Sequence, residues 1–380
     1  MKNERRKVLM AVFNDLACDG RVYRAATALA EDYEVELIGV SIAAATKIPG
    51  VKTEGLLVPT QNPLGRLSLA RFWFRLLVKA VSTKPNIVYV HDFFLALPGW
   101  LIRKILDCRI VYDAHELIVG SKGESVSRSQ LVFRVFERLV VHRADLVVAA
   151  NRHRAEIMQK HYRLLRMPLV IQNIASNQNH TGVIASSKHS HFVDRTNRVR
   201  LVYQGVISLT RGIGNFVEAL CFLDSCFELV LVGDGPGLGA IKDLVLQLNL
   251  SSRVWFTGKV RINELQDILQ HCDIGIVTYS FASLNDVYCA PNKVFEYAHA
   301  GIPMVGSAQT SLRELVEGNR IGLVVEASDR PGETAMRYAG AILQVADNLE
   351  GYRSRLQDFI EKYSWEKEKL KLVSGVKRLQ

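Results

Sequence analysis

The sequence lacks the residue patterns that mark resident metal or redox sites. Its six cysteines include no Cys-x-x-Cys pair, and no His/Cys run has zinc-ligand spacing. We expect them to be small buried hydrophobic residues in a reducing compartment. No Asp-x-Asp pair occurs either, and clustered carboxylates are what Mg²⁺ and Mn²⁺ require. These absences predict a protein without a bound metal.

Long apolar runs are also missing. The basic start of the chain is followed by only a short apolar segment, Val8–Phe13, which is too short for the core of a secretory signal. No uninterrupted apolar stretch reaches the ~18 residues of a membrane span. We therefore expect a cytoplasmic protein, with peripheral contact to the inner face of a membrane left open.

What the sequence has is a balanced globular composition with excess positive charge. A length of 380 residues, 48% hydrophobic and 23% charged, excludes wholesale disorder and predicts two domains. The formal charge of +10 favours anionic partners, such as phosphate-bearing substrates, an anionic membrane surface or nucleic acid. Because the basic residues form no recognisable nucleic-acid module, we expect no nucleic-acid partner.

Alternating strand and helix patterns predict an α/β fold. Val/Ile/Leu-rich runs such as Val8–Phe13 and Glu34–Val40 are typical of parallel strands covered on both faces. Near residues 176–198 the chain becomes rich in Ser, Asn and His, which predicts a linker or mobile loop. The α/β pattern then restarts. Two doubly wound, Rossmann-like domains are expected, with the ligand in the cleft that they face.

The segment from Pro291 to Pro303 carries the clearest sign of chemistry. It predicts a helix over Asn292–His299 with Pro291 in its first turn. Lys293 opposes the helix dipole there, which makes sense if an anion binds the free N–H groups. Glu296 follows one turn later and can accept two hydroxyl hydrogen bonds. By spacing alone, an ordinary helix with surface Lys and Glu fits equally well.

The same segment, P-N-K-x-x-E-Y-x-x-A-G-x-P, resembles the donor-binding motif of the family-four retaining glycosyltransferases, which have the GT-B fold. Other landmarks of that family follow in order along the chain. They are Asp19–Val22, Tyr112–Glu116, Val202–Gly205 with Arg211 and Gly212, Val232–Pro236, Val254–Gly258 and Tyr363–Glu366. Any one of them is weak, but the ordered set is a specific signal.

The resemblance implies roles for individual residues. Glu296 is implied to bind the ribose hydroxyls, while Arg211 and Lys293 neutralise the diphosphate with help from backbone N–H groups near Gly20. His115 is implied to reach the sugar or the acceptor hydroxyl. The other donor-binding positions implied are Gly235, Gly258, Val260, Pro291 and Asn292.

The resemblance also implies how the chain is divided into domains. Residues 1–175 would form the acceptor-side domain, 176–198 a linker or mobile loop, 199–360 the nucleotide-sugar domain and 361–380 a helix packing back on the first domain. The implied reaction moves a sugar, with retention, from a UDP- or GDP-linked donor to a glycan or lipid-linked acceptor in cell-surface polysaccharide synthesis. It would be a metal-independent hexosyltransferase, since Arg, Lys and a helix terminus replace the metal.

Two departures from the family pattern leave alternatives open. Tyr288 stands where a first glutamate is often found, so the donor sugar cannot be inferred. Val206 stands where an arginine often follows Gly205, which puts more of the phosphate binding on Arg211 and Lys293. A nucleotide-sugar epimerase or hydrolase of the same fold stays open, as does a non-catalytic nucleotide-sugar-binding protein.

Three further patterns have competing interpretations. Gly233–Gly237 only partly matches a dinucleotide fingerprint, so a turn in the donor site is favoured over an NAD site. His91 and His115, each followed by an acidic residue, follow predicted strands and suggest a metal or hydrolytic pair, or loop residues at a binding edge. Arg66–Val81 fits a membrane-surface helix or a sheet-covering helix with a solvated basic stripe.

Overall fold

The computed structural model describes residues 5–16, 19–41, 47–57, 65–120, 128–174, 198–260 and 262–379. The chain divides into two compact units, which we call unit 1 (Met1–Ser176 with Trp365–Gln380) and unit 2 (Asn177–Ser364). Each unit has its own parallel sheet and its own hydrophobic core. The predicted linker at 176–198 lies outside the described residues, apart from Arg198.

The sheet of unit 1 has the strand order β3-β2-β1-β4-β5-β6-β7, and its described pairings are parallel. Its strands are β1 (Lys7–Asp15), β2 (Glu34–Ser41), β3 (Val51–Leu57), β4 (Ile87–His91), β5 (Arg109–Ala114), β6 (Leu146–Ala149) and β7 (Leu169–Val170). The order reverses between β1 and β4, where doubly wound sheets bind ligands beyond the carboxyl ends of their strands. Register places His91 beside Asp113 at that edge.

Among the described residues of unit 1, five α-helices precede the linker. They are α1 (Gly20–Ala30), α2 (Arg66–Thr83), α3 (Ala96–Ile105), α4 (Arg128–Val141) and α5 (Arg152–Tyr162). In α2, Phe72, Leu76 and Ala80 recur at helical spacing and are fully buried. The helix therefore covers the sheet with one face, as one of the two interpretations of this segment predicts.

The sheet of unit 2 repeats this design with the order β10-β9-β8-β11-β12-β13, again with parallel pairings. Its strands are β8 (Val199–Gln204), β9 (Phe227–Val232), β10 (Val254–Gly258), β11 (Ile274–Val277), β12 (Met304–Ser307) and β13 (Gly322–Val325). The order reverses between β8 and β11. The predicted α/β class with two Rossmann-like sheets is confirmed.

The helices of unit 2 include the one predicted from the segment between Pro291 and Pro303. They are α6 (Ile213–Ala219), α7 (Leu238–Gln247), α8 (Ile262–Leu269), α9 (Leu284–Val287), α10 (Asn292–His299), α11 (Thr310–Leu312), α12 (Glu333–Asp347) and α13 (Leu349–Lys362). The bounds of α10 are those expected from the sequence. Its Tyr297 ring packs over Gly275, where a Cβ would lie 2.3 Å from the ring. Glycine at this strand position therefore lets α10 approach the sheet closely.

The final helix, α14 (Trp365–Lys377), belongs to unit 1. Leu372 and Val376 enter the same core as Val8 and Leu29, and burying each such side chain contributes roughly 1.5–3 kcal/mol. The sequence over Gly351–Lys377 predicts one amphipathic helical stretch, which is wrong, because α13 ends at Lys362 and α14 begins at Trp365. Within the described ranges, no helix is long and apolar enough to cross a membrane.

Candidate functional site

In unit 2, the loops after β8 and β9 pack backbone against backbone. Gly205 and Gly233 take φ values of +121° and +133° there. A Cβ on Gly233 would lie 2.0 Å from the Gly205 carbonyl oxygen, and one on Gly235 would lie 2.3 Å from that of Ile207. Both positions therefore require glycine. Packing accounts for Gly235, and its contact with a donor stays a prediction.

Lys293 is buried in the first turn of α10, with its ammonium on an aromatic face. Its Nζ lies 3.9 Å from the ring centre of Tyr203 and, among the described residues, has no hydrogen-bond partner. Burial, followed by the charge of Arg211, lowers the pKa of Lys293 to about 7, although Glu296 opposes the shift. Leaving a cation buried and unpaired is costly, so this geometry favours binding of an anion.

Arg211 places a second cation beside the first. It ends a short 3₁₀ turn, Leu209–Arg211, and its carbonyl accepts a hydrogen bond of 2.6 Å from Thr278 Oγ1. The guanidinium carbon lies 5.4 Å from the ring centre of Tyr279, and Lys293 Nζ lies 5.6 Å from the same centre. The two predicted phosphate-binding cations thus share one aromatic ring, within the usual range of cation–π attraction.

Glu296 lies one helical turn after Lys293, and its carboxylate accepts a hydrogen bond from Gln204 Nε2. The Gln204 Oε1 and Asn292 Oδ1 atoms are buried and, within the described part of the chain, accept no hydrogen bond. Unpaired buried acceptors of this kind are uncommon in folded proteins. Polar groups therefore converge on the side of α10 that carries Glu296, where a hydroxyl-bearing ligand could pair with them.

The remaining predicted residues of unit 2 surround this group less directly. Pro291 precedes α10 as its N-cap with φ −82° and ψ 97°, so the expectation that it lies in the first turn is wrong by one position. Gly258 ends β10 with φ +72°, and its carbonyl accepts a hydrogen bond of 2.9 Å from Gly233 N. Val260 follows and is half-buried. Their contacts with a base stay predictions.

In unit 1, Gly20 begins α1 and Asp19 caps it. The Asp19 Oδ1 accepts from Val22 N at 3.1 Å, and Oδ2 accepts from Asn14 Nδ2 at 3.1 Å. The next residue, Arg21, turns inward and is buried. Gly20 thus lies at a helix N-terminus, where backbone N–H groups are available to an anion.

His115 follows β5 and belongs to a compact polar network. Its Nε2 lies 3.0 Å from His91 Nδ1, which lies 3.5 Å from Asp113 Oδ2. Arg21 holds Asp113 with three contacts of 2.6 to 3.2 Å, and the Tyr89 hydroxyl donates to it at 3.0 Å. The sequence pointed to His91 and His115 but missed the carboxylate and guanidinium behind them.

Burial and the Arg21–Asp113 ion pair together set the electrostatics of the network. Burial alone would raise the pKa of Asp113, but the charge of Arg21 and the neighbouring histidines hold it well below its usual range. Burial lowers the pKa of His115 to about 4, with His91 and Arg21 acting in the same direction and Asp113 against them. His115 is therefore neutral near physiological pH.

The same three residues could offer ligand atoms to a metal ion. His91, Asp113 and His115 place possible ligand atoms within 4.8 Å of one another. However, the Asp113 Oδ1 already faces the Arg21 guanidinium at 2.6 Å. A fixed buried cation there disfavours a metal ion, so we interpret the group as an organising network around His115.

The ten predicted site residues divide between the units, with eight on unit 2 and two on unit 1. Arg211, Lys293, Asn292 and Glu296 come together on unit 2. Gly235, Gly258, Val260 and Pro291 lie on loops and caps of the same unit. Gly20 and His115 belong to unit 1. Sequence reasoning missed Tyr203, Gln204 and Tyr279, although the first two stand in the Y-Q-G landmark.

Two curated proteins are similar in sequence. The uncharacterised glycosyltransferase YqgM of Bacillus subtilis (strain 168) is 23% identical over 203 residues, covering 52% of this chain and 53% of that protein. The amylovoran biosynthesis glycosyltransferase AmsK of Erwinia amylovora is 25% identical over 134 residues, covering 34% and 33%. The matches thus span about half of the first relative and a third of the second.

Two solved structures share the fold over nearly the whole chain. The sucrose-phosphate synthase of Thermosynechococcus elongatus superposes with a TM-score of 0.77 at 17% identity, covering 99% of each chain. HepE of Anabaena, solved in complex with UDP-glucose, superposes with a TM-score of 0.74 at 16% identity, covering 98% of this chain and 99% of that one.

Family models cover both units. The model described as Glycosyl transferases group 1 matches residues 198–348, which contain the Lys293 and Glu296 site. The model described as Glycosyl transferase 4-like domain matches residues 20–166, which contain His115. The landmarks along the sequence and the two Rossmann-like sheets agree with both models. The chain therefore belongs to the group 1, family-four glycosyltransferases and has the GT-B fold.

Proposed function

We propose that this chain is a retaining, metal-independent hexosyltransferase that moves a sugar from a nucleotide diphosphate sugar to a glycan or lipid-linked acceptor. The observation that carries the proposal is the buried ammonium of Lys293, which has no hydrogen-bond partner among the described residues and lies beside Arg211. A protein keeps such a group only at a cost in stability. An anionic ligand that completes the site offsets that cost when it binds.

The diphosphate of the donor is assigned to Lys293 and Arg211. The cations converge on the ring of Tyr279, so they are already placed before the ligand arrives. Negative charge grows on the diphosphate as the bond to the sugar breaks. Fixed cations at this point stabilise the transition state more than the ground state, which is what accelerates the reaction.

The ribose is assigned to Glu296. Its carboxylate is already oriented by Gln204, and a carboxylate can accept hydrogen bonds from both hydroxyls of a ribose. The base would lie towards Gly258 and Val260. HepE was solved with UDP-glucose, which supports a UDP- or GDP-linked donor for this chain as well.

Metal independence is part of the proposal. Two side-chain cations supply the positive charge that Mg²⁺ or Mn²⁺ gives in other transferases. The sequence has no Asp-x-Asp pair to hold such an ion. Among the described residues, the His91, Asp113 and His115 group faces Arg21 instead of offering a free carboxylate.

In the proposed reaction, the acceptor hydroxyl attacks the anomeric carbon on the face from which the diphosphate leaves. The acceptor oxygen forms the new glycosidic bond, the old bond to the diphosphate breaks, and a diphosphate oxygen takes the proton. No side-chain nucleophile is assigned. His115 would lie near the sugar or the acceptor hydroxyl, where it positions the reacting groups.

The acceptor is proposed to be an intermediate of cell-surface polysaccharide synthesis. AmsK is named for amylovoran biosynthesis, and a lipid-linked intermediate would bring the enzyme to the inner face of a membrane. A surface of unit 1 supports such contact, and we call it the apolar-basic face. It consists of exposed apolar residues on α2 and α4: Leu67, Phe74, Val78, Val81, Leu131, Val132 and Val135.

Neighbouring side chains link the two helices of the apolar-basic face and add positive charge to it. The rings of Trp73 and Phe136 lie 6.1 Å apart and join α2 to α4. Arg71 and Arg138 are exposed on the same two helices. Apolar side chains flanked by cations match the chemistry of an anionic bilayer surface, so we propose such a surface as the occupant.

The reaction is tested by NMR of the intact protein with UDP-glucose or GDP-mannose, with and without a lipid-linked oligosaccharide acceptor and with and without EDTA. We expect donor consumption only with acceptor, an α-linked product and no loss of rate with EDTA. Free sugar or an epimer from donor alone would identify a hydrolase or epimerase. Binding without turnover across a broad acceptor panel would identify a binding protein, and a rate abolished by EDTA would overturn metal independence.

A further inference from the structure

His115 is the end of a chain of four side chains that starts at a buried arginine. Arg21 contacts Asp113, Asp113 faces His91, and His91 contacts His115 at distances of 2.6, 3.5 and 3.0 Å. Arg21, Asp113 and His91 are all buried. The direction of each hydrogen bond in this series of four side chains therefore decides which nitrogen of His115 carries its proton.

The first link is fixed by charge. Asp113 accepts from Arg21 Nε and Nη2 and from the Tyr89 hydroxyl, and Arg21 Nη1 donates in turn to the Ile171 carbonyl at 2.7 Å. With these donors and a pKa well below its usual range, Asp113 is an ionised acceptor. The atom that faces its Oδ2, His91 Nδ1, is favoured when it carries a proton.

The second link follows from the first. With a proton on Nδ1, His91 donates to His115 Nε2 at 3.0 Å. In the opposite arrangement, a lone pair on His91 Nδ1 would face the Asp113 carboxylate at 3.5 Å. The His91 proton would then lie on Nε2, which is buried and has no partner among the described residues. An orphaned buried N–H is the rarer and costlier of the two outcomes.

We propose that His115 is held in the tautomer with its proton on Nδ1 and its Nε2 lone pair engaged by His91, so that it presents a hydrogen-bond donor to ligands. Arg21, Asp113 and His91 are then positioning residues. The backbone of His115 is held as well, because Arg154 Nη1 donates to its carbonyl at 2.7 Å. Nδ1 of His115 makes no hydrogen bond within the described ranges.

The tautomer limits the chemical roles that are open to His115. Which role it plays rests on the proposed function. A general base needs a free lone pair towards the substrate, and here the lone pair of His115 is turned towards His91. Its lowered pKa keeps it neutral. His115 therefore serves as a neutral donor that holds a substrate oxygen, which leaves the proton of the acceptor to the departing diphosphate.

The test is a long-range ¹H–¹⁵N correlation spectrum of the intact, deuterated protein with labelled histidine, in which the His115 signals are identified by their loss in His115→Gln. We expect a pyrrole-type Nδ1 and a pyridine-type Nε2 at pH 7.5. A pyrrole-type Nε2 would overturn the assignment whether or not the protein transfers sugar. Conversely, the expected tautomer in a protein that transfers nothing would reject only the proposed function.

Variants separate positioning from simple structural support. His91→Leu removes the donor to His115, and His91→Asn restores an N–H near the Nδ1 position. We expect His91→Leu to mix the His115 tautomers and to lower kcat by about 10–100-fold, with little change in KM for the donor. His91→Asn should restore both the single His115 tautomer and kcat. Unchanged His115 nitrogen signals in His91→Leu would overturn the positioning role. Should His91→Leu fail to fold, Asp113→Asn is read in the same spectrum.

Discussion

The ammonium of Lys293 lies 3.9 Å from the centre of the Tyr203 ring and is buried without a hydrogen-bond partner in the described part of the chain. An unpaired buried charge costs stability, and under the proposed function the diphosphate of the donor would offset that cost on binding. Stability and ligand affinity should respond in opposite directions when this side chain is changed.

Replacing Lys293 with methionine should stabilise the free protein and weaken the binding of UDP. Methionine keeps the apolar stem and removes the unpaired charge, so we expect Tm to rise by roughly 2–4 °C for each kcal/mol gained. The Kd for UDP should increase by about 100-fold, the effect of removing a charged hydrogen bond. Differential scanning fluorimetry and calorimetry measure the two effects. Lys242→Met is the control, since Lys242 also lies over an aromatic ring but is exposed.

Binding of UDP-glucose should take up protons at pH 8. The pKa of Lys293 is lowered to about 7 in the free protein, so most molecules carry a neutral amine at that pH, and a bound diphosphate would raise the pKa again. Affinity should therefore fall as pH rises through 7. Calorimetry in Tris and HEPES buffers measures the uptake. Lys293→Arg, which stays charged, should show almost none, and equal uptake in both proteins would contradict the assignment.

Replacing Glu296 with alanine should remove the recognition of ribose hydroxyls. For the wild-type protein, we expect UDP to bind about 10-fold or more tightly than 2′-deoxy-UDP, because a charged hydrogen bond is worth about 1.5–3 kcal/mol. In Glu296→Ala this preference should disappear. Glu350→Ala, at an exposed glutamate that pairs with Arg353, should leave it intact. A preference that survives in Glu296→Ala would place the ribose elsewhere.

Two glycine substitutions, one in the loop after β9 and one in α7, should have opposite effects on stability. In Gly235→Ala the new Cβ would lie 2.3 Å from the Ile207 carbonyl oxygen, so we expect a loss of roughly 1–3 kcal/mol. Gly239 lies in α7 with no atom within 4 Å of a new Cβ. Gly239→Ala should therefore gain up to about 1 kcal/mol of helix propensity. Chemical denaturation distinguishes them, and equal stabilities would contradict the packing role of Gly235.

The apolar-basic face should bind anionic vesicles and ignore neutral ones. We expect co-sedimentation with phosphatidylcholine vesicles that contain phosphatidylglycerol, weakened by salt because the lipid attraction is screened. Phe74→Asp should lower the bound fraction by about 10-fold, since it places a carboxylate where an apolar ring meets the bilayer. Leu246→Asp changes a similarly exposed apolar residue of unit 2 and should have no effect. Loss of binding in both variants would reject this surface.

Local chemistry let the sequence predict some parts of the molecule closely. The bounds of α10 followed from Pro291 and the glycine after the helix, and Lys293 was conspicuous because its charge opposes the helix dipole. By contrast, β3 and the two-residue β7 were missed. Val51–Leu57 carries Lys, Thr, Glu and Gly between its apolar residues, so its composition resembles a loop until it pairs with β2.

The network around His115 could not be predicted from sequence patterns, for a different reason. Arg21 and Asp113 are 92 residues apart, and only the parallel register of the sheet brings Asp113 beside His91. Likewise, Tyr203 and Tyr279 are ordinary strand-end residues until the fold brings them to Lys293. Spacing along a chain records neighbours within one element, whereas these contacts join separate elements.

The place of α14 has a consequence for biosynthesis. Unit 2 is encoded by one continuous stretch, Asn177–Ser364, while unit 1 needs Leu372 and Val376 to complete a core begun at Val8. On the ribosome, every residue of unit 2 is therefore made before unit 1 has its full core. Unit 1 is therefore translated first but completed last, and part of its apolar core stays uncovered until Leu372 and Val376 of α14 have been made.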